Sequence, residues 1–274
     1  MKLIKFKYLL VLIFIFMTDK AFANCPDIEG ITVSSSFGVS ICAMPDVDQK
    51  FLDHATSVMD KLLDYDEDGL VDNNDVLQTL ISSGSVYAIF RKDREIEDFL
   101  ESYYGEDNYE LIEEYCNKVR DEAECEIYVD SFGTMLSVFV NEMNLSGKGW
   151  DPTIEEALHL ITHGGYAQFY PDIFGQHKDS YIAKLMDNAR GGYFEKSQKR
   201  YPNGAYYTYN DRSCSYSCQI TEFTFWAITS LRGQQANRGN EISHEWKLNT
   251  PEKLKDRDPD LLAFLTDPKY AIKF

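Results

Sequence analysis

Residues Asp64 to Asp75 read Asp-Tyr-Asp-Glu-Asp-Gly-Leu-Val-Asp-Asn-Asn-Asp, and no other segment limits so tightly what this chain can fold into. Counted from Asp64, aspartates stand at positions 1, 3, 5, 9 and 12, with a glycine at position 6. Like charges this dense repel one another unless a cation sits among them. A hard cation such as Ca²⁺ takes about six to eight oxygens, and alternate residues of a tight loop can supply them. Asp64, Asp66 and Asp68 can turn inward together, and Gly69 permits the sharp bend between them and the rest. The competing reading is an acidic, solvated turn that holds no ion.

Spelled this way, the segment resembles an EF-hand loop. The resemblance implies Ca²⁺ ligands at Asp64, Asp66, Asp68, the backbone carbonyl of Leu70, Asp72 (directly or through water) and Asp75. It also assigns Val71 to apolar packing. Position 12 is Asp75, where sensor-type loops carry a glutamate. The shorter acid is similar to the dockerin-like and other extracellular variants, and implies a bracing rather than a sensing role. Helical spacing on both sides, with Phe51, Ala55, Val58 and Leu62 before the loop and Val76, Leu77, Leu80 and Ile81 after it, predicts a helix-loop-helix unit over 46–83.

The first 23 residues read as a cleaved leader. Lys2, Lys5 and Lys7 precede the apolar run Tyr8–Met17, and Ala21-Phe22-Ala23 fits a small-x-small cleavage site. The run is short for a membrane span, and nothing later in the chain is apolar enough for one. An exported protein, secreted or periplasmic, is expected. The formal charge is −18, and losing the leader's four lysines and one aspartate makes it −21. Such a chain repels nucleic acid and anionic membranes. Its six cysteines fall into sequence-local pairs, Cys25/Cys42, Cys116/Cys125 and Cys214/Cys218. In an oxidising compartment, nearest-neighbour disulfides are favoured over a zinc ribbon, whose spacings are absent.

A disulfide-tied leading segment with the calcium unit (24–83) and an α-rich domain (84–274) make up the expected organisation. The fold class is α+β, predominantly α-helical, with a small EF-hand-like module on a larger α-rich domain. Residues 85–125 read as helical. Ile127–Val129, Leu136–Val140 and Tyr206–Tyr209 read as short strands. Asp151-Pro152-Thr153 opens a helix expected to stop at Gly164-Gly165. Further helices are expected over 180–188, 218–233 and 261–265.

The helix after Pro152 carries Glu155-Glu156-Ala-Leu-His159-Leu-Ile-Thr-His163. Imidazoles four apart share one helical face and can hold a divalent metal. Two such histidines with an acid on an apolar helix resemble the active helix of zinc peptidases. Neither H-E-x-x-H nor H-x-x-E-H is matched, because Leu160 and Thr162 stand where the acid should be. The resemblance implies Zn²⁺ at His159 and His163. Glu222 is the third ligand, with His177 and the His244-Glu245 pair as runners-up. Glu156 or Glu155 is the general base. Three bland alternatives stand beside this. Glu156 completes a capping box with Thr153, His163 answers the helix dipole, or Glu222 pairs with Arg212 or Arg232.

Two function classes remain. One is a calcium-stabilised, zinc-dependent hydrolase acting on a peptide or protein substrate. The other is a non-catalytic extracellular binding or adhesion protein that uses calcium for rigidity alone. No G-x-S-x-G elbow, phosphate loop or dinucleotide glycine fingerprint is present.

Overall fold

The structure, a computed structural model, describes residues 25–119 and 122–274, so the leader read at 1–23 lies outside them. The elements run β1 (Thr32–Ser36), β2 (Val39–Ala43), α1 (Gln49–Leu63), α2 (Asn74–Ser82), β3 (Val86–Phe90), α3 (Glu95–Tyr104), α4 (Glu106–Val119), α5 (Glu122–Asp130) and β4 (Met135–Phe139). Then follow α6 (Pro152–His159), a π-helical stretch (Leu160–Ala167), α7 (Pro171–Phe174), α8 (Tyr181–Arg190), α9 (Tyr216–Leu231), α10 (Gly239–Ile242), α11 (Pro251–Arg257) and α12 (Pro259–Leu265). The fold is α+β and predominantly helical.

A small sheet of order β1-β2-β3-β4 organises the first half. β1 and β2 form an antiparallel hairpin across Phe37-Gly38, both with positive φ (48° and 98°), the backbone of a primed turn. β2, β3 and β4 are parallel, and parallel neighbours need a crossover. The first crossover is α1, the acidic loop and α2, so that loop is slung between two strands of one sheet. The second contains α3, α4 and α5.

β3, Val-Tyr-Ala-Ile-Phe, is wholly buried, as an inner parallel strand with both faces covered should be. A continuous apolar run lacks the alternation that marks a strand, which is why it read as helix. The reverse error falls at Ile127–Val129, which belongs to α5, where the Cys116–Cys125 disulfide ties α4 to α5. Tyr206–Tyr209 forms no strand, only an isolated bridge between Tyr207 and Trp246. The sheet and one continuous core also run across the boundary expected at 83/84.

The Gly164-Gly165 pair does not stop the α6 helix; the chain winds on as a π-helix to Ala167. Both glycines lie against α2. A Cβ at Gly165 would fall 2.6 Å from Val76 Cγ1, and one at Gly164 2.9 Å from Ser85 Oγ. They serve close approach between elements, with no left-handed cap involved.

The second half is arranged around α9. All its residues are buried except Cys218 and Glu222, so the helix is covered on nearly every side. Thr224 and Thr229 return their hydroxyls to the carbonyls of Ile220 and Phe225, so burial leaves them satisfied. The three disulfides join the nearest-neighbour pairs. Among the described residues no helix is long and apolar enough to cross a membrane.

Candidate metal centres

The acidic loop winds around its first carboxylate. Asp64 ends α1, and its two oxygens accept from the amides of Asp68 (3.0 Å) and Gly69 (2.8 Å). Gly69 takes φ +86°, the left-handed turn that its position demands. Asp72 Oδ2 accepts from the Tyr65 amide at 3.1 Å, closing the loop on itself. Asn73, not an acid, caps α2.

Carboxylate oxygens of Asp64, Asp66 and Asp72 lie within 4.8 Å of one another. Asp72 Oδ1 is buried there without a hydrogen-bond partner, and burial raises the Asp72 pKa. Asp68 and Asp75, the other carboxylates expected as ligands, are not part of that cluster. Asp68 accepts from the Leu70 amide (2.8 Å), and the Leu70 side chain is exposed. Asp75 sits in the first turn of α2, one methylene shorter than the glutamate that would reach inward from there.

The second cluster joins α6 to α9, which pack together. One ligand atom each from Glu155, His159 and Glu222 lie within 4.8 Å of one another. His159 is buried, with Nε2 3.8 Å from Glu222 Oε2 and Nδ1 3.8 Å from Glu156 Oε2. Those gaps are too long for hydrogen bonds. Nε2 has no hydrogen-bond partner at all. Phe225 packs edge-on against the imidazole, its centroid 5.5 Å away. Trp150 donates its indole N–H to Glu155 (3.1 Å), and Arg238 lies over the Trp150 ring at 4.5 Å.

The electrostatics follow from too many acids around one base. Burial alone would lower the His159 pKa, but Glu222, Glu156 and Glu155 outweigh it and lift the imidazole to about 9. Burial raises Glu222 to about 7, against the pull of His159 and with the help of Glu155, Glu156 and Glu245. Burial also raises Glu155. Each partner gains from the other's charge, yet negative charge stays in surplus.

His163 does not join His159. It is bonded to Asp130 at the end of α5. It lies within the π-helical stretch, whose wider turn changes the angle per residue and spoils the α-helical superposition of positions four apart. Glu156 does not form the capping box, because Asp151 is the N-cap and Thr153 Oγ1 is unbonded. Neither arginine weighed as a partner for Glu222 meets it in an ion pair: Arg232 stacks on Tyr65 (4.0 Å) and donates to the Lys273 carbonyl. The runners-up also stand apart. His177 is exposed against the Pro171 carbonyl, and exposed His244 pairs with Glu245. His54, partly buried on α1, forms a 2.6 Å pair with Asp151 at the wall of a cavity of about 530 Å³.

Trp150 and Arg238 frame the second cluster and went unread. Trp150, five residues before Glu155, was within reach of sequence reasoning as an indole beside an acidic helix start; Arg238 leaves no local signal. Comparison of the chain with family models, with curated proteins and with solved structures gives no match.

Proposed function

We propose that this is an exported protein braced by Ca²⁺ at the Asp64–Asp75 loop, whose α6–α9 junction holds a divalent transition metal for hydrolysis. Glu155, His159 and Glu222 are the metal donors, and Glu156 is the general base. The observation that carries the reading is the buried, unbonded His159 Nε2 facing a surplus of carboxylates. A buried polar atom without a partner is costly, and a cation that displaces the imidazole proton would use the nitrogen lone pair and offset the excess charge.

The donors fit such an ion with small adjustment. Tetrahedral zinc with metal–ligand bonds near 2.0–2.1 Å sets its ligands roughly 3.3 Å apart. The His159–Glu222 gap of 3.8 Å must therefore close by about half an ångström. One imidazole with two carboxylates suits zinc and also harder ions such as manganese. Bound there, the metal supplies Lewis acidity and a water of lowered pKa. Trp150 fixes Glu155 through its indole N–H, and Phe225 fixes the imidazole plane. Glu156, one-third exposed, stands between the imidazole and solvent, where it can take a proton from water and return it to a leaving amine. Peptide or ester carbonyls are the substrate class.

The disulfides suit an oxidising, secreted or periplasmic location, and millimolar calcium there would keep a low-affinity loop loaded. The rival reading is a binding protein without catalysis. It draws support from the cavity beside His54, whose wall includes neither Glu155 nor His159 nor Glu222.

Peptidase and esterase assays on zinc- or manganese-loaded protein test the proposal. Turnover that a chelator abolishes and that Glu156→Gln removes with metal content intact supports it. Equal rates for wild type and Glu156→Gln would reject the base, and no turnover by either loaded protein would favour the binding protein.

A further inference from the structure

The acidic loop already has a cation of its own. Lys273, 207 residues downstream of Asp66, places its ammonium 2.9 Å from Asp66 Oδ2. The backbone around Lys273 is pinned to the same region. Arg232 donates Nε–H to the Lys273 carbonyl (3.0 Å) while stacking on Tyr65, the second residue of the loop. Asn73, which caps the helix leaving the loop, donates to the Tyr270 carbonyl (3.0 Å). The Tyr166 hydroxyl donates to that same carbonyl (2.9 Å). Residues 270–273 are thus a strap across the loop, delivering one ammonium to one of its three clustered carboxylates.

We propose that Lys273 is a tethered competitor for the loop's cation, so that ion binding and the seating of the strap oppose each other. The inference rests on the calcium reading of the loop. Asp66 belongs to the carboxylate cluster, so an ion held with Asp64 and Asp72 would lie close to an ammonium on Asp66. Two cations that close repel, and Asp66 cannot give its full charge to both. Calcium binding therefore expels the ammonium and loosens the strap, and by linkage a seated strap weakens calcium to the same degree. Lys273 and Asp66 are both nearly half exposed, so solvent and salt hold the effect to a modest size.

Calorimetric calcium titrations at low ionic strength test this with wild type, Lys273→Met and Lys269→Met. Lys269 reaches only the Tyr270 ring, so its variant removes the same charge from the same segment without touching an acid of the loop. Lys273→Met should bind calcium about two- to fivefold more tightly than wild type, the range expected of an exposed ion pair, while Lys269→Met matches wild type. Amide exchange at 270–273 of wild type should quicken on adding calcium. Identical affinities in all three proteins, or equal tightening in both variants, would overturn the competitor and leave the calcium loop standing. If none of the three binds calcium, loop and competitor fall together.

Discussion

His159 and Glu222 face each other across 3.8 Å, from the end of α6 and the second turn of α9, with no hydrogen bond between them. Glu155 lies alongside, so one possible donor atom from each of the three residues stands within 4.8 Å of the others.

The approach of the π-helical stretch to α2 depends on a missing side chain. Gly165→Ala would put a methyl 2.6 Å from Val76 Cγ1, deep in a packed contact. Overpacking of this kind costs about 1–3 kcal/mol, so urea denaturation should show that loss with an unchanged slope. An unaffected midpoint would mean that α2 gives way freely.

Two aspartates of the acidic loop should behave differently. Asp64 holds the Asp68 and Gly69 amides whether or not an ion is present. Asp64→Ala should therefore destabilise the protein by about 2 kcal/mol in chelator as well as in calcium. Asp66 is tied chiefly through its exposed link to Lys273. Asp66→Ala should melt like wild type in chelator and below it in calcium. Matching melting curves for wild type and Asp66→Ala in both conditions would reject the loop as a calcium site.

In metal-free protein, His159 and Glu222 both hold protons to higher pH than they would unfolded. Glu222 rises from 4.5 to about 7, so folding is favoured by its proton at low pH and loses that contribution as pH climbs through this window. His159 rises from 6.5 to about 9, so its contribution is complete below 6.5 and lost as pH rises through 9. Metal donors must shed those protons, so metal affinity grows with pH. The Tm gap between zinc-loaded and metal-free protein should widen from pH 5 to pH 9. A constant gap would show that neither group gives up a proton on binding.

What was legible depended on whether the information was local. The acidic loop and its flanking helices, the three disulfides and the buried α9 are each written in consecutive residues. Glu222 was legible as an acid on an apolar helix, a chemical anomaly whatever the fold. His163 misled because the pattern assumed an α-helix, while glycines chosen for contact with α2 allowed a π-helix. Asp130, Arg238 and Lys273 meet their partners only after the chain has folded back, so spacing alone could not reveal them. β3 was hidden by its own burial, since a strand covered on both faces has no alternation to read.

The most direct test of the account is metal content after zinc reconstitution and desalting, measured by elemental analysis on wild type, His159→Ala, Glu222→Gln and His163→Ala. Close to one zinc is expected in wild type and in His163→Ala, with the latter less stable for losing its Asp130 partner, and little or none in the other two folded variants. Zinc lost from His163→Ala but kept by His159→Ala, or no zinc in any of the four, would contradict it.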